Sequence, residues 1–209
     1  MIAAHTLLCK AADDGRTDSA LVSGVDALAP RLGFDATSTA LMRGLAEPAI
    51  YLYFDVPAAF DAISADLRRW EREIAASLRL PSPSPRLARL ARCREIAGAS
   101  AGGIGAFHYV VETDVDDDEA WNELARWYDA EHLPGLAAVP GCIRAQRYVN
   151  LDGGPRSYAC YDLAAPDVLG SAAWLAVRNT PWSARVRPQF RNTARTMFRA
   201  LTSGVQSTQ

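Results

Sequence analysis

The chain has 209 residues, with 22 Lys and Arg against 24 Asp and Glu and a formal net charge of −2 at pH 7. That balance gives no general drive toward nucleic acid. Hydrophobic residues make up 49% of the chain, ample for a packed core in one domain or two small ones. No uninterrupted run reaches the ~18 apolar residues that a membrane span requires. The N-terminus, Met-Ile-Ala-Ala-His-Thr-Leu-Leu-Cys-Lys, lacks the basic start and long apolar stretch of a signal peptide. A cytoplasmic location is therefore expected. Cys9, Cys93, Cys142 and Cys160 show no Cys-x-x-Cys spacing, so neither zinc nor a redox pair is suggested.

Ile2 to Lys10 reads as a strand, with Asp13-Asp14-Gly15 as a turn. Ser19 to Leu32 predicts a helix with Leu21, Val22, Val25, Leu28 and Ala29 on one side, stopped by Gly33. Thr37 to Arg43 is a weak strand, and Ile50 to Val56 a strong one, rich in aromatic and branched residues. Pro57 opens a helix in which Phe60, Ile63, Leu67, Trp70, Ile74 and Leu78 recur at helical spacing. Pro81 to Pro85 is an extended breaker, and Leu87 to Ile96 a last strand. The Gly- and Ala-rich segment Gly98 to Gly105 is the natural boundary between two domains.

The pattern then restarts. Phe107 to Val111 is a strand, and Asp116-Asp117-Asp118 cap a helix from Glu119 to about Glu131. Trp121, Leu124, Ala125 and Tyr128 share one face of that helix, His132 continues it, and Pro134 is expected to end it. Strands are expected at Ile143–Val149 and Ser157–Leu163, joined by a turn at Asp152-Gly153-Gly154. A short helix at Pro166–Val177, a loop at Asn179–Ser183, a final strand at Thr193–Leu201 and a loose tail complete the chain. The halves align: His5-Thr-Leu-Leu with His108-Tyr-Val-Val, and Tyr51–Val56 with Tyr158–Leu163. Chance similarity between apolar strands is the alternative.

The block Trp127-Tyr-Asp-Ala-Glu-His-Leu-Pro134, then Val139-Pro140-Gly141 and an Arg-containing strand from Gly141 to Tyr148, resembles the EthD-like branch of the dimeric α+β barrel superfamily over about residues 104–200. The resemblance implies an α+β fold: two tandem ferredoxin-like βαββαβ units, a degenerate one at 1–98 and a second at 104–203, with a tail at 204–209. Packed sheet to sheet, they would form an intrachain dimeric α+β barrel with a pocket, as a monomeric pseudo-dimer or a homodimer. The Trp-Tyr block occurs only in the second unit, which is therefore expected to form the working pocket, closed by the first. The superfamily hosts many reactions, so the motif points to a fold more than to a chemistry.

By the same resemblance a strand-one histidine projects into the pocket, making His5 and His108 candidates for acid–base work, for which imidazole titrates in the right range. His132 is a third candidate; the alternative is a core histidine hydrogen-bonded to a backbone carbonyl. Arg144 and Arg147 lie on opposite strand faces, so one at most can hold a developing anion in the pocket. Tyr51, Tyr158, Tyr128 and Trp182 are candidate substrate contacts. Arg185, Arg187, Arg191, Arg195 and Arg199 make the C-terminal end basic, either as a solvated face or to draw an anionic substrate.

No metal-spaced histidine pair, phosphate loop or dinucleotide fingerprint is present, so no metal and no cofactor are expected. The expectation is an isomerase, cyclase or lyase that moves a proton on a hydrophobic, carbonyl-bearing small molecule. The alternatives are a non-catalytic ligand-binding or stabilising protein and an oxygenase, cofactor-free or haem-dependent.

Overall fold

The computed structural model describes residues 5–32, 39–56, 67–80 and 85–201. The readings of residues 2–4, of Gly33, of the helix start at Pro57, of the proline run at 81–84 and of the tail from Thr202 lie outside the described residues. The strands are β1 (His5–Ala12), β2 (Thr39–Gly44), β3 (Ala49–Val56), β4 (Arg86–Ala97), β5 (Phe107–Asp114), β6 (Cys142–Asn150), β7 (Ser157–Leu163) and β8 (Arg191–Ala200). The helices are α1 (Asp18–Leu28), α2 (Leu67–Leu78), α3 (Asp118–Trp127), α4 (Leu133–Ala137), α5 (Ala172–Arg178) and α6 (Pro181–Val186). The strands hydrogen-bond in the order β1-β3-β2-β8-β5-β7-β6-β4 and close into a barrel. This is the α+β, ferredoxin-like barrel architecture expected. No described helix is long and apolar enough to cross a membrane.

The chain divides into two compact units, Met1–Ala91 with Phe198–Gln209, and Arg92–Met197. In the first, β1 pairs antiparallel with both β3 and β4, and β2 pairs with β3. Leu7, Cys9, Leu41, Leu52 and Phe54 on the strands pack against Leu21, Val25 and Leu28 of α1 and Ile74 and Leu78 of α2. Thr17 caps α1, its side chain accepting from Ala20 N–H, and so satisfies one of the free donors of the first turn.

In the second unit β7 pairs antiparallel with β5 and with β6. Alternation sends Tyr109, Val111, Ala145, Ala159 and Tyr161 to the helix-covered face. Trp127 and Tyr128, then Leu133 and Leu136, Trp174 and Val186 cover that face from the helical side. Asp117 caps α3 by accepting from Ala120 N–H, as the acidic run predicts. Gly141 adopts φ 89°, and a Cβ there would stand 2.5 Å from Val168 Cγ2. The Val-Pro-Gly turn thus needs glycine both for its backbone and for its neighbour.

Two helical expectations fail in instructive ways. The helix does not stop at Pro134. Tyr128–His132 forms a π-helical turn, and α4 continues to Ala137 with proline in its first turn. The wide turn already bonds Leu133 N–H to the Tyr128 carbonyl, so the missing proline N–H costs little. The segment read as a loop at Asn179–Ser183 starts helix α6 instead. Thr180 caps it by accepting from Ser183 N–H, and Pro181 holds the first position.

Candidate functional site

A cavity of about 270 Å³ lies within the second unit, between the sheet and its helices. Its floor is Tyr109 and Val111 of β5 and Tyr161 of β7; Trp127, Tyr128, His132, Leu136 and Trp174 form the helical wall. Arg178, Arg187, Phe190 and Arg195 line the rest with Leu169. Every lining residue falls within Arg92–Met197. The wall is aromatic by construction: Tyr161 and Trp174 meet edge-on at 5.2 Å, and Tyr109 and Trp174 at 6.1 Å.

His132 owes its position to the π turn. Five residues on from Trp127, its ring stacks on the indole at 4.0 Å with an interplanar angle of 20°. It meets Tyr128 edge-on at 5.6 Å. Burial, then the positive charges of Arg187 and Arg178, pull its pKa down to about 3. The imidazole is therefore neutral at physiological pH. Its Nδ1 is buried with no hydrogen-bond partner, so it is not the carbonyl-bonded core histidine that sequence reasoning set against a site role.

Two more lining residues carry buried polar atoms without partners, the Trp127 indole Nε1 and the Tyr161 hydroxyl. A buried donor without an acceptor costs about 1–3 kcal/mol. Three such groups around one void give an apolar ligand with a few oxygen atoms something to gain. Burial raises the Tyr109 and Tyr161 hydroxyls above the usual phenol range, with the cavity arginines acting against burial at Tyr109. Both phenols are therefore protonated and able to donate.

The opposite sheet face holds a separate buried cluster. His108 Nδ1 and Asp162 Oδ1 are 2.6 Å apart, and Arg144 reaches Asp162 Oδ2 through Nε at 2.8 Å and Nη2 at 2.7 Å. Burial pushes the Asp162 carboxyl up, but the hydrogen bond and charge of His108 and the charge of Arg144 outweigh it and hold the group below its usual range. Gln146 donates to Glu95 at 2.6 Å.

The structure thus separates the candidates. His132 and Tyr128 line the cavity; His108, Arg144 and Tyr158 lie on the opposite sheet face. Arg147 is buried under the helices, its guanidinium 5.2 Å from the Tyr128 ring and 5.4 Å from Trp121. Arg144 and Arg147 do diverge, as strand alternation requires. Trp182 stands in α6 and donates from Nε1 to Glu123 at 2.7 Å. Tyr51 belongs to the first unit, packed 4.4 Å from Phe198. The side chain of His5 lies outside the described residues. Among the described residues no cluster of His, Cys, Asp or Glu could hold a metal ion.

The alignment of the halves is offset by one residue at β1. Asp162 faces His108 across the strands, whereas Asp55 faces Thr6, whose hydroxyl donates to it at 3.2 Å. Thr6, not His5, stands where His108 stands. A slip of one residue exchanges sheet faces, so the matched histidines of the sequence are not matched in space.

Sequence reasoning missed Tyr109, Trp127, Tyr161 and Trp174 as cavity wall. It saw Arg187 and Arg195 only as part of a basic end, and Arg178 not at all. The alternation that places Tyr109 and Tyr161 on one face was available.

No family model matches this chain, and no curated protein does. Solved structures do. A monooxygenase candidate of Fusobacterium nucleatum superposes with a TM-score of 0.66 at 10% identity, covering 97% of this chain and 94% of its own. An anthrone oxidase-like protein gives 0.62 at 17% identity, with 94% and 91% covered. A heme-degrading enzyme of Listeria monocytogenes gives 0.54 at 8% identity, with 93% and 98% covered. These likenesses establish the ferredoxin-like α+β barrel over nearly the whole chain.

Proposed function

We propose that the second unit is a cofactor-independent enzyme site that deprotonates a fused-ring aromatic carbonyl compound and holds the resulting anion. One observation carries this reading: a neutral histidine stacked in an aromatic cavity, beside an indole N–H and a phenol O–H that lack acceptors. His132 takes the proton. In the empty cavity burial and the charges of Arg187 and Arg178 make His132 a weak base. An anion bound beside those arginines would raise its basicity toward the range that proton transfer needs, for isomerisation, cyclisation or elimination. The Trp127 indole and the Tyr161 hydroxyl donate to the oxyanion as charge builds on it. His108, tied to Asp162 on the far face, plays a structural part.

The monooxygenase-like and anthrone oxidase-like structures sharing the fold favour a second fate for the same anion. Under air it would react with dioxygen; anthrone plus one O₂ would give anthraquinone and one water.

Anthrone is the test probe. Without oxygen, the protein is expected to accelerate deuterium exchange at its acidic methylene. His132→Gln should slow that exchange by ~10²-fold or more. Faster exchange that survives unchanged in the folded variant removes His132 from the mechanism. Binding without any acceleration makes the protein a ligand carrier. Oxygen uptake under air decides between the two fates. Added haem should give no Soret shift; a shift that His132→Gln abolishes would replace this reading.

A further inference from the structure

Three arginines from three elements converge on the cavity: Arg178 at the end of α5, Arg187 in the turn Arg187–Gln189, and Arg195 on β8. Elsewhere in the unit the buried Arg147 lies against the Tyr128 and Trp121 rings, while Arg92, Arg126, Arg144, Arg156 and Arg191 each have a carboxylate within ion-pair distance. Among the described residues the three cavity arginines have none. Arg187 is half-buried, and its guanidinium pKa is lowered by burial and by the charges of Arg178 and Arg195. Arg178 and Arg195 are exposed, so like charges gather at the open side of the void, where an arriving anion would relieve their repulsion. The acidic residues that could neutralise them point elsewhere. Glu131 accepts from Thr180 at 2.6 Å, and Glu123 is held by Trp182 and Arg126.

We propose that Arg178, Arg187 and Arg195 anchor the carboxylate of an aromatic acid, whose ring system lies between Tyr161, Trp127 and Trp174. This rests on reading the cavity as the substrate site and adds the class of substrate. The guanidinium fork matches a planar carboxylate. The apolar, aromatic remainder of the wall fits a flat ring body with few polar atoms. Acid at the arginines and ring oxygen at the indole and phenol would fix one orientation, with the reacting carbon facing His132.

The probes are 1-hydroxy-2-naphthoic acid and its methyl ester, followed by quenching of tryptophan fluorescence in the full chain. The acid is expected to bind at least ~10-fold tighter than the ester at low salt and to lose this advantage at high salt. In the combined variant Arg178→Gln, Arg187→Gln, Arg195→Gln, affinity for the acid should fall to that for the ester, with ester binding unchanged. Removing mutual repulsion should leave that variant at least as heat-stable as the parent. If it does not fold, Arg187→Gln alone should remove part of the preference. Equal affinities of the parent for acid and ester overturn the anchor while leaving the cavity a substrate site. Binding of neither probe overturns both.

Discussion

Leu7 and Phe54 face each other across β1 and β3, and Tyr109 and Tyr161 occupy the corresponding facing places across β5 and β7. Both pairs lie under helices, at the centre of their unit's core. Among the described residues, the first pair belongs to a mostly aliphatic interior of Leu, Ile and Val with Cys9, Ala29 and Phe54. The second belongs to Tyr and Trp rings that enclose a void edged by arginine. Branched aliphatic side chains interdigitate and fill space. Rigid rings held edge to face leave angular gaps, and their polar tips make a dry filling expensive. Among the described residues, aliphatic packing marks the first unit, and an aromatic cavity shaped by the turn Tyr128–His132 marks the second.

The comparison can be broken most severely away from the cavity. Asp162→Asn leaves Arg144 and His108 without their anion, and breaking a buried pair in this way costs about 3–5 kcal/mol. Urea unfolding should show it. A loss under ~1 kcal/mol would mean that the cluster holds little together. In the first unit, Leu41→Ala empties a site that is 0% exposed and should cost about 2–5 kcal/mol. A similar loss on trimming the cavity-lining Leu169 to Ala would erase the distinction between packed and open halves, since Leu169 is only partly buried and already borders empty space.

Acid should tell the halves apart more gently. The His132 pKa is depressed to about 3 in the fold, while an unfolded chain takes up that proton near pH 6.5. The unfolded state then binds more protons, so stability falls as pH drops from about 6.5 toward 3, by at most ~1.4 kcal/mol per pH unit. His132→Gln should flatten this slope in urea titrations at pH 6 and pH 4; an unaltered slope would place the acid sensitivity elsewhere. The smallest effect is expected for Tyr161→Phe, which deletes a buried hydroxyl that has no partner. Stability of the ligand-free protein should change by less than ~1 kcal/mol or rise slightly. Affinity for an oxygen-bearing aromatic ligand should fall.

Much of the frame could be read along the chain. Aromatic and branched composition with flanking turn signals located β3 and β7 to within a residue, while β5 starts where expected at Phe107 but runs on three residues past Val111 to Asp114. The Asp and Gly signals at Asp117 and Gly141 sit where the backbone demands them. The missed features depend on long-range placement or on departures from period. Arg178, Arg187 and Arg195 meet only because the end of α5, a short turn and the middle of β8 line the same cavity. His108 finds its partner through a register between residues 54 positions apart. The one-residue offset between Thr6 and His108 is hidden because apolar strands tolerate a shifted alignment.

The turn Tyr128–His132 carries one residue more than an α-helix would need. Each residue of an α-helix advances the chain by about 100°, so in a regular helix His132, five residues after Trp127, would stand about 140° around the axis from the indole. The wide turn closes that angle and lets the two rings stack. The surplus residue acts as a spacer that sets the phase between the tryptophan before it and the histidine after it.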